Sequence, residues 1–560
     1  MTLEPLLAKW SRGWRGPAVA AFVAFLAGLP GLIAVPPLDR DESRFAQATA
    51  QMLESGDFVV IRFQDEPRFK KPVGIHWLQA ASVEAFSSPE AREIWAYRLP
   101  SLLGAMLAAA ACAWGAAAFF GPQAGLVAGV LLASTFLLST EAFIAKTDAV
   151  LAGTTTLAMA ALGRLYAAAR DGPPAGKRTL PLFWGALAVA ILVKGPVGPL
   201  VVALALVTLA LWDRRVGWIA RLKWWWGLIA VLVIVGPWAG AVTVATDGGF
   251  WTEAIGADLA PKLAGGQETH GALPGYHALL TPILAFPITL LLPAALVVAW
   301  TRRAEPGVRF AIAWLVPAWL LFELMPTKLP HYTLPTYGAL AWLGAAALAQ
   351  PLGPKVRWIG AGLGVAVALA LAAGVIYLLS LYAGAADAWA AALAAALFAG
   401  AGLVGGYLMI QGAPRGGVAA ALILGVLGHG ALAAGLLPRL GPLWVSSRLE
   451  RVMAERQLLP RQGVAEAPVA VAGYAEPSLV FALGTPTELD GADEAAQAIA
   501  ENRPAIVEAR EAEAFRRALA TRGVTVREVA RVNGLNYSKG DEVSLGVYVS
   551  PEAKVREGRP

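Results

Sequence analysis

Cysteine is almost absent from this 560-residue chain, and charged residues are scarce. Cys112 is the one cysteine and lies in an apolar run, which excludes an intramolecular disulfide or a thiolate metal cluster and makes packing its expected role. Only 15% of the residues are charged, against about a quarter in an average soluble protein. The formal net charge of +6 is small, so the composition gives no indication of nucleic-acid binding.

The chain instead contains long apolar blocks. Apolar residues make up 57% of it, and the mean hydropathy is +0.58. A bilayer core of roughly 30 Å needs about 20 apolar residues per helical crossing, and residues 18–38 meet that length without a charge. Because backbone in lipid must satisfy its own hydrogen bonds, the blocks predict an all-α membrane core. The thirteen predicted helices span 17–38, 98–119, 124–141, 148–169, 180–194, 196–212, 224–245, 276–300, 308–323, 331–349, 357–382, 387–411 and 416–437.

The distribution of lysine and arginine orients these crossings. Cytoplasmic loops of membrane proteins carry an excess of both residues. With the N-terminus in the cytoplasm, the predicted inner loops hold most of the cations, and most outer loops hold one or none. An odd number of crossings places the two termini on opposite faces. The first apolar run is too long for a signal-peptide core and is expected to stay as the first helix.

The C-terminal residues 441–560 differ in pattern from the membrane segment 1–440. Short β-like runs alternate with polar helical runs, which predicts a small α/β soluble domain on the outer, periplasmic side. No catalytic motif is evident in it. The predicted strands span 468–474, 505–509, 524–532 and 542–550, and the predicted helices span 492–502 and 510–523.

The first outer loop, residues 39–97, breaks the charge pattern because it is rich in arginine and lysine. Two explanations stay open. A loop of about 60 residues is at the length where the orientation rule stops applying, so the loop would cross regardless of its charge. Alternatively, its cations bind an anion at the outer surface.

Acidic residues open an amphipathic stretch at the start of this loop. Asp39 or Asp41 is expected to cap the N-terminus of the helix, which is an ordinary role for such residues. Arg44 lies three residues after Asp41 and therefore on the same helical face. The alternative to capping is that the carboxylate of Asp41 and the guanidinium of Arg44 address one substrate.

A lysine pair, Lys70 and Lys71, precedes Pro72 and a second helical stretch. Pro72 fits the first position of a helix, with Lys71 at the N-cap. Backbone N–H groups at a helix start, combined with lysine charges, form a phosphate cradle. The alternative is a basic turn that contacts anionic lipid headgroups.

Two further candidates lie at the predicted outer ends of helices. Asp148 is a membrane-edge carboxylate, costly there and hence a functional candidate, with an N-cap paired to Lys146 as the alternative. Lys194 divides two apolar runs and serves either to bind phosphate or simply to reach the interface.

Histidines also fall on the predicted outer face, at His270 and His331, the latter followed by Tyr332. Together with Glu268 they raise the question of zinc. Zinc sites need three or four convergent ligands, and this spacing matches no compact metal motif. Polar anchors for a ligand are the favoured interpretation, and no metal ligand is assigned.

The chain resembles the bacterial ArnT/PMT-like glycosyltransferases of the GT-C class, the group of the lipid A aminoarabinose transferases and protein mannosyltransferases. Six motifs carry the resemblance, in order across about 300 residues, and the thirteen-helix topology with a terminal periplasmic domain is similar as well. The motifs are DESRFAQATAQMLESGDFV (41–59), RFKKPVGIHWLQ (68–79), KTDAVL (146–151), KGP (194–196), GQETHGALPGY (266–276) and TKLPHYTLP (327–335).

The resemblance implies a bacterial inner-membrane enzyme that takes a sugar from a polyprenyl-phosphate carrier. It implies that Asp41 is the catalytic acidic residue of the first outer loop and that Asp148 is a second functional aspartate. Arg44, Lys71 and Lys194 match its basic positions. Lys70, His270, His331 and Tyr332 complete the expected substrate-binding set.

One departure affects both the metal and the sugar. The aminoarabinose transferases have Phe-Glu-Lys-Pro where this chain has Phe69-Lys70-Lys71-Pro72, so the glutamate that helps to hold a metal is missing. No cofactor is assigned, and the question of a divalent metal stays open.

The expected function is transfer of a hexose or pentose, with inversion, to a periplasmic-face acceptor: lipid A, another glycolipid or glycan, or a protein. The expected partners are therefore the polyprenyl-phosphate sugar, this acceptor and membrane lipids. A transporter, a lipid-linked sugar flippase and a polymer ligase are the alternatives. Transporters usually show paired halves with charges near the middle of the membrane, whereas these candidates cluster at its outer edge.

Overall fold

The computed structural model describes residues 8–259, 272–462 and 468–556. Apolar helices fill most of this chain up to Arg439, and they confirm the predicted all-α polytopic membrane core. The helices are α1 (Arg15–Ala34), α2 (Asp41–Ser55), α3 (Gly74–Phe86), α4 (Ile94–Ala133), α5 (Phe136–Glu141), α6 (Asp148–Ala168), α7 (Thr179–Lys194), α8 (Val197–Asp213), α9 (Trp224–Ala245), α10 (Tyr276–Leu284), α11 (Leu292–Thr301), α12 (Pro306–Leu324), α13 (Tyr337–Leu348), α14 (Pro354–Tyr382), α15 (Ala388–Ile410) and α16 (Pro414–Gly430).

Every predicted apolar block corresponds to one of these helices or to a pair of them. Among the described residues, eight helices are long and apolar enough to cross a membrane, or nine if one bent pair counts as a single span. Two apolar helices, α7 and α8, are shorter. The count of thirteen crossings therefore stays a prediction.

Breaks inside two of the blocks have local causes. The long helix α4 is interrupted at Gly121, whose φ of 83° lies in the left-handed region that favours glycine. The block after residue 276 is bent by 111° between Tyr276–Leu284 and Ile288–Thr301. Pro287 lies at this bend, and a proline disfavours helical backbone in the residue before it.

Two helices of the first outer loop begin differently from the prediction. Helix α3 starts at Gly74 with Val73 at the N-cap, so the expected Lys71 cap and Pro72 start were wrong. A Cβ atom at position 74 would lie 2.6 Å from the Leu192 carbonyl oxygen, so tertiary packing against α7 determines what this position accepts. At the start of α2 the N-cap is Arg40, with φ of 61° and no side-chain cap, so neither Asp39 nor Asp41 caps the helix.

The C-terminal region is a small α/β domain, as the sequence predicts. A five-stranded sheet has the order β4-β3-β5-β7-β6, with β3 parallel to β4 and β5, and β7 antiparallel to β5 and β6. Strand β4 and the first two helices were not predicted. The elements are α17 (Val445–Glu455), β3 (Ala470–Ala472), α18 (Pro477–Leu483), β4 (Glu488–Asp490), α19 (Ala492–Ala500), β5 (Ala505–Glu508), α20 (Ala512–Arg522), β6 (Arg527–Asn536) and β7 (Asp541–Val549); a two-stranded ribbon, β1 (Arg62–Phe63) and β2 (Glu66–Pro67), lies in the first loop.

This domain contacts the first outer loop, especially α2. Thr485 donates a hydrogen bond to Glu54 (2.6 Å) and accepts one from the Gln47 amide (2.8 Å). The rings of Tyr97 and Phe481 meet edge to face at 5.3 Å between centroids. The loop is therefore held between the helical core and the C-terminal domain.

Candidate functional site

A cavity of about 200 Å³ lies where the start of α6, the turn between α7 and α8, and the end of α12 come together. The loop before α3 and the 3₁₀ turn Pro330–Thr336 complete its wall. Six of the residues predicted from the sequence line it: Lys70, Lys71, Asp148, Lys194, His331 and Tyr332.

Asp148 is at the centre of a chain of ionic contacts. Its Oδ1 lies 2.5 Å from Lys194 Nζ, and its Oδ2 lies 3.6 Å from Lys146 Nζ. Lys146 Nζ in turn contacts Glu141 Oε1 at 3.0 Å and His331 Nδ1 at 3.3 Å. The Asp148 side chain is only 5% exposed, so these contacts satisfy a carboxylate that is otherwise costly to bury.

The cluster carries a surplus of positive charge. Four lysines (Lys70, Lys71, Lys146 and Lys194) face two carboxylates (Asp148 and Glu141). Burial lowers the pKa of His331 well below its ordinary value, so this imidazole is neutral at physiological pH and does not offset the lysines. A pocket of this charge accommodates an anion.

The remaining wall of the cavity is apolar and aromatic. Lys194 Nζ also lies 5.7 Å from the centre of the Tyr332 ring, a cation–π distance that fixes the ammonium over the cavity wall. An anion with a hydrocarbon tail matches such a lining. The apolar residues are Leu151, Val197, Phe250, Trp251, Ala254, Ile255, Phe322 and Met325.

Asp41 and Arg44 belong to the first turn of α2 and do not line the cavity. Asp41 is exposed as the first residue of α2, and Arg44 is half-buried one turn later. Burial would lower the pKa of the Lys146 ammonium, but the charges of Glu141 and Asp148, with a smaller contribution from Asp41, raise it above its ordinary value. The Asp41 carboxylate is thus close enough to interact with the lysine cluster.

A buried ion pair fixes the start of α2 against the core. Glu42 receives hydrogen bonds from Arg98 Nε and Nη2, both at 2.8 Å. The same carboxylate accepts from the backbone N–H of Ala145 at 2.7 Å, directly before Lys146. Glu42 therefore ties the segment that carries Asp41 to the segment that carries Lys146 and Asp148.

Sequence reasoning missed Glu42, Arg98 and Glu141 as members of this arrangement. A usable signal was present, because a charged residue at the edge of an apolar run, as at Arg98 and Glu141, is costly and usually paired. The predicted residue His270 lies outside the described residues, as does Glu268. Of the alternative for Asp148, the N-cap was wrong, because Thr147 is the N-cap, whereas the predicted pairing with Lys146 is present at 3.6 Å.

The donor set of the cavity does not fit a metal ion. Within residues 8–259, 272–462 and 468–556, no three His, Cys, Asp or Glu side chains converge as metal ligands would. Lys70 contributes a cation to the cavity instead of a metal ligand. Within the described residues, the lysine ammonium groups are therefore the charges that this cavity presents to an anion.

Polytopic helices around an outer cation cluster, with a terminal α/β domain, define a GT-C type membrane protein, and comparison with solved structures agrees. ArnT from Cupriavidus metallidurans in the apo state superposes with a TM-score of 0.75 at 22% identity, covering 95% of this chain and 96% of that one. The same protein bound to undecaprenyl phosphate gives 0.73 at 21% identity, with the same coverage. The fold is therefore shared over nearly the whole chain.

Sequence comparisons point to the same group. The family model described as dolichyl-phosphate-mannose-protein mannosyltransferase matches residues 38–252. The undecaprenyl phosphate-alpha-4-amino-4-deoxy-L-arabinose arabinosyl transferase of Pseudomonas paraeruginosa is 30% identical over 317 residues, 56% of each chain. That of Edwardsiella ictaluri is 28% identical over 348 residues, 61% of this chain and 60% of the relative. The matched region thus spans little more than half the length of these relatives. The predicted resemblance is confirmed: the chain is similar to the ArnT/PMT group of glycosyltransferases and has the fold of a multi-pass GT-C protein.

Proposed function

We propose that this protein is a membrane glycosyltransferase that moves a sugar from a polyprenyl-phosphate carrier to an acceptor. The observation that carries the proposal is the cavity lined by lysines together with apolar and aromatic side chains. A phosphate with an isoprenoid tail needs both kinds of wall. The undecaprenyl phosphate donors named for the relatives support the same class of donor for this chain.

In the proposed complex, Lys70, Lys71 and Lys194 bind the carrier phosphate. Asp148 orients Lys194 through the 2.5 Å contact, and Glu141 and His331 hold Lys146 beside it. The apolar wall around Phe250 and Trp251 accepts the first isoprene units. Because helix α3 begins at Gly74, the proposed cradle consists of lysine side chains and not of a helix N-terminus at Lys71.

The reaction is one displacement at the anomeric carbon. The bond between this carbon and the carrier phosphate oxygen breaks, and the electron pair stays on the phosphate, where the lysine charges stabilise it. The acceptor oxygen attacks from the opposite face, so the anomeric configuration inverts. Asp41 accepts the proton of a hydroxyl acceptor, with Arg44 orienting the acceptor, or orients an acceptor that is already an ionised phosphate.

The same proposal includes the placement of the chain. We place it in the bacterial inner membrane, with the N-terminus in the cytoplasm and the first outer loop in the periplasm. Residues 441–560 also lie in the periplasm, as a domain separate from the membrane segment 1–440. The asymmetric distribution of lysine and arginine supports this orientation. The acceptor is lipid A, another glycan or a protein.

The test is turnover by the purified full-length protein in liposomes. A panel of undecaprenyl-phosphate-linked sugars, aminoarabinose among them, is offered with extracted lipid A, and release of free undecaprenyl phosphate is measured. Release that depends on the acceptor and is lost in Asp41→Asn supports the proposal. Movement of the intact donor between leaflets without release would contradict it and favour a flippase.

A further inference from the structure

The C-terminal domain reaches the segment next to Asp41 through one side chain. The backbone N–H of Asp39 donates a hydrogen bond of 2.6 Å to the hydroxyl oxygen of Tyr537. These residues lie 498 positions apart in the chain. The contact therefore joins the last third of the C-terminal domain to the residues directly before α2.

Tyr537 is itself held in place. It follows Asn536 at the end of β6, and the Asn536 amide donates a 2.8 Å hydrogen bond to the buried carboxylate of Glu476. The Tyr537 ring meets the Trp444 ring edge to face, with 6.5 Å between centroids. The hydroxyl group thus extends from a turn that these contacts anchor to the domain.

The Asp39 side chain packs against the same C-terminal domain. Its carboxyl group interacts with Ser478 and lies near Glu476, and Oδ1 is buried without a hydrogen-bond partner. Burial and the Glu476 charge raise the pKa of Asp39 to about 6, while Ser478 opposes the shift. Ser478 is in turn anchored by a 2.6 Å contact with Ser446.

The turn before α2 is closed locally at Leu38, whose N–H donates to Glu42 (2.8 Å) and whose carbonyl oxygen accepts from the Ser43 hydroxyl group (2.5 Å). Arg40, the N-cap of α2, has φ of 61°, a left-handed backbone conformation that a residue with a side chain rarely adopts. It makes no side-chain cap that would fix the first turn. Strained backbone persists where surrounding contacts enforce it. Tyr537 on one side and the Glu42–Arg98 pair on the other supply those contacts.

We propose that Tyr537, supported by Ser478, is a positioning residue that sets the direction of the Asp41 carboxylate toward the lysine cluster. This inference rests on the proposed transferase function, with Asp41 as its base. It assigns a role to the C-terminal domain: the domain completes the geometry of the first outer loop. Tyr537 touches neither donor nor acceptor and acts only through Asp39.

The test compares Tyr537→Phe with Thr485→Ala in the full-length protein. The first removes only the hydroxyl group that binds the Asp39 N–H. The second removes a hydroxyl group of the same interface that contacts Glu54 and Gln47 on the body of α2. Tyr537→Phe is expected to lower kcat by at least about 10-fold with an unchanged KM for the donor, because a misplacement near 1 Å costs up to about 10²-fold. Thr485→Ala is expected to stay within about 2-fold of the wild type.

Hydrogen exchange gives a second measurement that needs no donor. The amide hydrogens of residues 39–41 should exchange faster in Tyr537→Phe than in the wild type or in Thr485→Ala. Unchanged exchange, or equal losses of kcat in both variants, would overturn the inference and leave a general docking role. If the wild type releases no carrier phosphate, the proposed function fails, and the exchange measurement still decides whether Tyr537 holds the segment.

Discussion

The Glu42 carboxylate and the Arg98 guanidinium form a two-pronged ion pair, with both hydrogen bonds at 2.8 Å and neither side chain exposed to solvent. Arg98 also donates to the carbonyl oxygens of Val35 (2.6 Å) and Pro36 (3.0 Å), just after α1. One arginine therefore connects the end of α1, the start of α2 and its own helix, α4. This pair fixes where the first outer loop leaves the membrane core.

Arg98→Ala is expected to lower the free energy of unfolding by about 3–5 kcal/mol, because it leaves Glu42 buried without its partner. Thermal unfolding in detergent measures the change. Arg62→Ala removes an exposed arginine of the same loop and serves as the control, with an expected effect within about 0.5 kcal/mol. Equal unfolding midpoints for the two variants would contradict a structural role for the buried pair.

Asp41→Asn is expected to reduce transfer by at least about 10²-fold, the lower end of a typical general-base contribution. The substitution keeps the volume of the side chain and removes its ability to accept a proton. Expression and donor binding should stay near normal, because Asp41 does not line the cavity. Near-wild-type turnover by the purified variant would remove Asp41 from the mechanism. Asp39→Asn is the comparison, with a milder defect expected.

Lys71→Ala is expected to weaken binding of undecaprenyl phosphate about 10-fold, the loss of one charge-assisted hydrogen bond. Lys71 lines the cavity, whereas Arg357, at the start of α14, does not. Calorimetric titration of both purified variants with the carrier lipid measures the difference. The cradle hypothesis fails if Lys71→Ala binds as well as the wild type, or if Arg357→Ala loses as much affinity.

Asp39 should make the stability of the protein depend on pH. Burial and the Glu476 charge raise the pKa of Asp39 from 3.8 to about 6. Ser478 and Arg40 oppose this shift. Tyr474 and Tyr537 are the other titratable groups near Asp39. The protonated form is favoured in the folded state, so its stabilising contribution is complete below pH 4 and is lost as the pH rises toward 6.

The comparison of Asp39→Asn with the wild type isolates this contribution. The thermal midpoint of the variant should rise relative to that of the wild type between pH 4 and pH 7, because the amide does not ionise. The other titrating groups are common to both proteins and cancel. A constant difference across this range would show that Asp39 has an ordinary pKa.

Reporter fusions after Arg415 and after Gly484 are expected to lie in opposite compartments. Arg415 is at the start of α16, and Gly484 directly follows α18 in the C-terminal domain. One further crossing separates them if α16 spans the membrane. Cytoplasmic signals from both fusions would contradict the predicted topology of the termini.

The apolar blocks predicted the helical core well, because a run of some 20 apolar residues in a membrane protein has one main structural solution. Four of the five strands of the terminal domain also followed from local alternation, and β4 did not. The residues at which helices begin were harder to predict from the sequence. Gly74 begins α3 where it packs against Leu192, and Arg40 takes its left-handed conformation between two tertiary anchors. Neither tertiary contact can be predicted from the residues next to it in the sequence.

For the candidate site, the sequence predicted several of the residues but not the contacts between them. Asp148, Lys194 and His331 were singled out because charged and polar residues at the ends of apolar runs are conspicuous. Their mutual distances were not predictable, because Asp148 meets Lys194, 46 positions away, and His331, 183 positions away (331 − 148), only in the folded bundle. Glu42 was overlooked beside Asp41, since only the structure shows that it faces Arg98 and the core.

The contact between Tyr537 and Asp39 has a consequence for biosynthesis. The ribosome makes Asp39 early and Tyr537 498 residues later, so the first outer loop crosses the membrane long before its partner exists. If the C-terminal domain sets the direction of Asp41, a nascent or truncated chain has a loop and a cavity but little transfer activity. Under that condition, incomplete chains would transfer little sugar without any separate inhibitor.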